Sequence, residues 1–196
     1  MRTDGVVRRA LTGLALACAL ALAPAAAAGW TVGQLMDLLA RNQPGRAVFN
    51  ETKFIAILDR PVESSGELRF TPPNRLEKRT LAPGSETLVV DGDTLTMEFL
   101  GKRQSLALSE HPEVAVFIES IRGTLAGDRA SLERSYALAL TGEADRWTLV
   151  LRPLAPAAGK IVSSIEVGGS RADVRRIEIT LADGDRSLML IRRVEP

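Results

Sequence analysis

Over residues 46–108, and again over 135–194, the chain alternates apolar and polar residues with a period of two, and turn-formers interrupt the alternation at short intervals. Segments 46–58, 65–71, 75–82, 85–91, 94–100 and 103–108 read as strands, and strands resume at 135–141, 146–153, 160–168, 173–181 and 186–194. The expected breaks are Glu63-Ser64-Ser65-Gly66, Pro72-Pro73-Asn74, Pro83-Gly84-Ser85, Asp91-Gly92-Asp93 and Gly101-Lys102. Asp91-Gly92 and Asp183-Gly184 are strong hairpin signals, with positive φ expected at both turn positions of the first. Links this short permit only antiparallel neighbours. The pattern therefore predicts a mainly β (α+β) fold: ten or eleven antiparallel strands forming a long meander in sequence order, a sheet large enough that it must curl.

Helical signals are few. Thr31 is placed to cap a helix carrying Val32, Leu35, Met36, Leu38 and Leu39, which stops at Asn42, Pro44 and Gly45. Pro112 suits the first turn of a second helix, in which Val114, Phe117, Ile118, Ile121 and Leu125 recur at spacings of three and four. Asp128 is the expected N-cap of a brief third helix through Leu132 and Arg134.

Each strand has one apolar and one polar face. Leu95, Met97 and Phe99 share a face, as do Tyr136, Leu138 and Leu140, and Trp147, Leu149 and Leu151. Three short helices are too few to cover so much apolar sheet, and an unfilled apolar hollow is expected, with an apolar ligand as its natural occupant. A packed core is the competing reading of the same stripes.

Ahead of the sheet, Arg2, Arg8 and Arg9 precede an apolar run from Ala10 to Ala23, followed by Pro24 and Ala25 to Ala28. This is the pattern of a secretory signal peptide, with cleavage expected after Ala27 or Ala28. The 14-residue run is short for a bilayer span. Residues 29–196 are then read as one domain. Cys18, the single cysteine, permits no intrachain disulfide; it reads as a small apolar residue of the leader rather than an acylation site. Setting aside Arg2, Arg8, Arg9 and Asp4 leaves 22 basic against 23 acidic residues, a formal charge of −1 that argues against nucleic acid as partner.

No catalytic or metal constellation stands out. His111 is the single histidine, and Ser109-Glu110-His111-Pro112 lacks the geometry of a nucleophile, base and orienting acid. The Asp91/Asp93 and Asp183/Asp185 pairs lack the further ligands of an EF-hand loop and read as hairpin residues. No cofactor is expected. Among charges placed in early strands, Glu51, Lys53, Glu77 and Lys78 draw notice. Glu51 and Lys53 are read as rim groups that would meet a polar headgroup, against cross-strand pairing on the wet face.

One ordered set of motifs spans residues 29–196. Phe49-Asn50-Glu51-Thr52-Lys53-Phe54 is followed by Ser65-Gly66-Glu67-Leu68-Arg69-Phe70, Pro73-Asn74-Arg75-Leu76-Glu77-Lys78, Pro83 to Glu86, and Val90-Asp91-Gly92-Asp93 with Leu95. This order resembles the LolA family of lipoprotein carriers. Leu125-Ala126-Gly127-Asp128-Arg129, Trp147 through Pro153, and Asp183-Gly184-Asp185-Arg186-Ser187 resemble its divergent LolA-related branch. The resemblance implies a half-barrel of about eleven strands with a helical lid, and a monomeric periplasmic carrier with no catalytic step. Such a carrier holds the acyl chains of a lipoprotein or other lipid and shuttles it between an inner-membrane donor and an outer-membrane acceptor.

On that reading Leu68, Phe70, Leu88, Val90, Leu95, Met97, Phe99, Leu138, Leu140, Trp147 and Leu149 line the cavity, and Leu35, Leu38, Leu39, Phe117 and Ile121 form the lid. The family's arginine before the Pro-Asn turn is replaced here by Pro72, with Arg69 and Arg75 nearby. That departure leaves open both the latch and the cargo, a triacylated lipoprotein or another amphiphile. The alternative from a different class is a periplasmic lipid-sensing regulatory module without a transport role.

Overall fold

The structure is a computed structural model that describes residues 29–42 and 44–194. The expected leader and Cys18 lie outside the described residues. The chain opens with α1 (Val32–Leu39), whose Thr31 hydroxyl accepts the Gln34 backbone N–H while the Gln34 side chain accepts the Thr31 N–H, a reciprocal capping box. Six strands follow: β1 (Gly45–Phe54), β2 (Val62–Thr71), β3 (Arg75–Ala82), β4 (Glu86–Asp91), β5 (Thr94–Phe99) and β6 (Lys102–Ala107). A single 3-10 turn (Leu108–Glu110) leads into α2 (Pro112–Ala126) and α3 (Arg129–Ser135). The chain then returns as β7 (Tyr136–Glu143), β8 (Arg146–Pro153), a one-turn helix α4 (Pro156–Gly159), β9 (Val162–Ser170), β10 (Asp173–Leu181) and β11 (Arg186–Val194).

All eleven strands belong to one antiparallel, open and curled sheet in the order β6-β5-β4-β3-β2-β1-β11-β10-β9-β8-β7. The single meander expected from the sequence is thus two meanders, joined where β1 pairs with β11. Local alternation cannot reveal that junction, because it specifies which face a residue occupies and not which distant strand lies alongside. The segment containing α2 and α3 connects one sheet edge, β6, to the other, β7, and lies on the face that carries the apolar stripes.

The helix signals are found as read. Pro112 occupies the first turn of α2, and Asp128 caps α3 by accepting the Ser131 N–H at 2.9 Å. The short α4 has no counterpart in the sequence reading. Two turn expectations are corrected. Glu63 to Gly66 is not a turn but part of β2, and the β1–β2 loop is residues 55–61. Ser64 points into the concave face to donate to Glu51, and a register shift at Ser65/Gly66 absorbs the irregularity, so turn-forming residues here serve a polar patch in the interior. At the β4–β5 hairpin Asp91 pairs with Thr94, and of the loop residues only Gly92 has positive φ (58°), the requirement of a type II′ turn.

Candidate functional site

Two different interiors lie between helices and sheet. Under α1 and α3 the space is filled. Leu35, Met36 and Leu39 of α1 and Leu132 of α3 pack on Trp147, Leu149 and Leu151 of β8 and Val162, Ile165 and Val167 of β9, each at 2% exposure or less. Trp147 is seated by an absent side chain opposite it, since a Cβ on Gly169 would stand 2.4 Å from its ring. Its indole N–H donates to the Arg171 carbonyl at 2.9 Å.

Beneath α2 the space is a cavity of about 440 Å³, within the usual range for small-ligand sites. Its roof is one stripe of α2, comprising Val114, Phe117, Ile118, Ile121 and Leu125. Its floor is the centre of the sheet: Ala47 on β1, Leu68 and Phe70 on β2, Leu76 and Lys78 on β3, Leu88 and Val90 on β4, and Leu95 on β5. Ile177 and Ile179 on β10 and Met189 and Ile191 on β11 complete it. A smaller packed cluster of Val90, Leu95 and Leu108 closes the β4–β5 side.

The opposite flank of α2 is built from small residues. Ser120, Gly123 and Thr124 are buried, and a Cβ on Gly123 would stand 2.8 Å from the Leu132 side chain of α3. Gly127 ends the helix with φ 66°, where a Cβ would meet the Met36 carbonyl of α1 at 2.3 Å. The roof therefore rests directly on the packed half. Two further ties hold it: Arg122 donates to the Gly92 carbonyl of the β4–β5 turn at 2.6 Å, and the Tyr136 hydroxyl donates to the Val116 carbonyl. Burial pushes the Tyr136 phenol up to about 12, so it stays a donor across the physiological range.

The expected cavity residues divide accordingly. Leu68, Phe70, Leu88, Val90 and Leu95 border the hollow, as do Phe117 and Ile121. Leu138, Leu140, Trp147 and Leu149 belong instead to the filled core or pack against it, because α1 is driven into that half of the sheet. Leu35 and Leu39, expected in the lid, are for the same reason fully buried core residues, and Leu38 of α1 is likewise not among the groups bordering the hollow. Met97 packs beside the β4–β5 cluster, and Phe99, at the outer end of β5, is 52% exposed. The sequence reading did not assign the contributions of β10 and β11. Ile177, Ile179, Met189 and Ile191 carried the same alternation, but only the β1–β11 pairing brings them beside the other floor residues.

The charges also depart from expectation. Glu51 lies neither at a rim nor on the wet face; it is on the concave face at 6% exposure. Its Oε2 accepts from Lys78 Nζ at 2.6 Å and Ser64 Oγ at 3.3 Å, and its Oε1 from Ser187 Oγ at 2.7 Å. Burial alone would raise the Glu51 pKa, but the hydrogen bond and charge of Lys78, with help from Ser187 and Lys53, outweigh it and hold the carboxyl below its ordinary value. Lys53 stands 3.9 Å from Glu51 and is half exposed. Glu77 faces the other side of β3.

Other singled-out groups have protein partners. Asp91 accepts from Arg75 at 2.7 Å, and Asp93 from Ser109 Oγ at 2.6 Å. Asp183 accepts the Asp185 N–H, and Asp185 the Ala56 N–H. His111 contacts Glu113 at 3.2 Å at the start of α2. Among the described residues no cluster of three or more His, Cys, Asp or Glu side chains has metal-binding geometry, and no helix is long and apolar enough to cross a membrane.

A curled sheet clasping an apolar hollow under one helix is the architecture of a cavity protein. The model of the family "Outer membrane lipoprotein carrier protein LolA-like" matches residues 23–193, and the chain belongs to that family. A protein of Leptothrix cholodnii named outer-membrane lipoprotein carrier protein is 30% identical over 178 residues, covering 86% of this chain and 80% of that one. Among solved structures, a LolA superfamily protein from Nitrosomonas europaea aligns with a TM-score of 0.47 at 10% identity, covering 85% of this chain and 94% of its own. A chain of the Pseudomonas aeruginosa MucA/MucB complex aligns with a TM-score of 0.47 at 16% identity, over 84% of this chain and 58% of that one.

Proposed function

We propose that the protein is a periplasmic carrier that takes up the acyl chains of a lipoprotein or another lipid beneath α2 and moves them toward the outer membrane without a catalytic step. The observation that carries this reading is the apolar hollow of about 440 Å³ between α2 and strands β1–β5, β10 and β11. Each methylene transferred from water into such a space contributes about 0.8 kcal/mol, so one long chain supplies on the order of 10 kcal/mol before the cost of opening the roof. The kinship to a protein named as a lipoprotein carrier, over most of both chains, supports the same reading. Arg122 ties roof to sheet at the β4–β5 turn, whereas the β2–β3 turn, where the family's usual arginine would stand, carries Pro72.

Native mass spectrometry of the protein purified from the periplasm tests the proposal. The expected result is a co-purifying lipid mass that is lost when the cavity is filled by substitution. An empty protein that also fails to bind added acyl chains would overturn it, and an empty protein that captures a receptor domain would favour the regulatory alternative.

A further inference from the structure

Lys78 is a charged side chain set among the apolar residues of the cavity floor; Arg193 and Asp173, which also border the cavity, pair with each other at 3.2 Å. The cross-strand partners of Lys78 on that face are Leu68 on β2 and Leu88 on β4, both cavity residues. Its Nζ sits 5.0 Å from the centre of the Phe49 ring and 2.6 Å from Glu51. Phe49 and Glu51 are 2% and 6% exposed, whereas Lys78 is 21% exposed. The lysine is thus held at buried partners while its own side chain stays partly accessible.

The two partners of this ion pair are unequally satisfied. Glu51 accepts from Lys78, Ser64 and Ser187, with Lys53 close by. A lysine ammonium has three donors, and among the described residues Glu51 is the single hydrogen-bond partner of Lys78. The formal charge of Glu51, Lys78 and Lys53 together is +1. Glu86 and Lys102, next in register on the same face, add one charge of each sign and leave that balance unchanged. Thr80, buried at 7% exposure, adds a hydroxyl on the same strand face. An apolar wall with a donor-rich cationic point suits an amphiphile whose head is an oxyanion and whose tail lies along Leu88 and Phe117.

We infer that Lys78 anchors the carboxylate or phosphate head of a chain-bearing ligand inside the cavity, while Glu51 acts as the positioning residue that holds the ammonium in place. This rests on the carrier reading above and assigns its ligand a charge. It also moves the head contact to Lys78 from Glu51 and Lys53, the pair expected from the sequence to meet it.

Displacement of a fluorescent apolar probe from the purified protein at pH 8 by laurate, dodecyl phosphate and dodecanol separates the two proposals. The expected result is that at least one of the two anions binds roughly tenfold or more tightly than the alcohol, the scale of one charged hydrogen bond, and that anion identifies the head. Since removing Lys78 alone would strand a buried carboxylate, the informative variant is the double Glu51→Gln/Lys78→Met, with Lys78→Arg as the conservative control. The double variant should bind all three ligands with the alcohol's affinity, and Lys78→Arg should keep the preference. Equal affinities in the unaltered protein overturn the anchor while leaving the carrier reading intact, as does a preference that survives in the double variant. That first comparison needs no variant and decides the matter even if the double variant does not fold. Failure of the unaltered protein to bind any of the three overturns both proposals.

Discussion

The two halves of this sheet have the same strand chemistry and opposite interiors. Strands β7–β9 present Tyr136, Trp147, Leu149, Leu151, Ile165 and Val167 to α1 and α3, and these side chains form a buried core. Strands β1–β4 and β11 present Ala47, Leu68, Leu76, Leu88 and Ile191 to α2, and a hollow remains. The difference lies in the helices. α1 inserts three side chains straight into its half, while α2 is held up by its small-residue flank on the packed helices. A filled core and an open hollow are thus placed in separate halves of one fold.

That separation predicts unequal responses to substitution. The largest effect is expected for Trp147→Ala in the filled half, a loss of about 3–5 kcal/mol by urea denaturation. Leu88→Ala in the hollow half should fall below the roughly 2 kcal/mol floor of fully buried leucine truncations, since Leu88 already faces open space. Equal losses at the two sites would break the comparison. Gly127→Ala should cost about 2 kcal/mol, because it combines a left-handed backbone with a Cβ 2.3 Å from the Met36 carbonyl, and it should lower the melting temperature.

Ala47→Phe should fill the hollow. Its expected signature is unchanged or raised thermal stability with acyl-chain affinity reduced by tenfold or more, about 1.4 kcal/mol, read by probe displacement. A matching loss of stability would show the hollow to be less open than the structure depicts. The smallest effect concerns Glu51. Its folded-state pKa lies below the ordinary 4.5, so its contribution is present above pH 4.5 and is lost as the pH falls through the depressed value. The stability difference between the unaltered protein and Glu51→Gln, from denaturant midpoints, should therefore be greatest near neutrality and shrink in acid. A difference that grows in acid would reverse the assigned sign.

Much of the fold was legible in the chain because period-two alternation and turn chemistry are local. The number of strands, the α1 cap at Thr31, Pro112 opening α2 and Asp128 capping α3 all follow from residues a few positions apart. The cavity was legible only in half. Leu68, Phe70, Leu88, Val90 and Leu95 shared a face that any curled sheet would turn inward, and Phe117 and Ile121 lay on an apolar helix stripe. Whether Leu149 or Leu88 meets a helix, however, depends on where α1 lands, and no pattern within either strand records that. Ser64 misled for a related reason: a serine facing a buried carboxylate has the same letters around it as a serine in a turn.

The seam between β1 and β11 joins groups far apart in the chain, as Ser187 and Glu51 are 136 positions apart and yet hydrogen-bonded. The first strand made is therefore left without one neighbour until the last has been delivered. Closing so long a loop is entropically costly and slow, and the hollow comes into being only at that final step. On the carrier reading, an unfinished chain has no vessel in which to trap grease prematurely, and loss of β11 would leave the middle of the sheet, not its margin, unpaired.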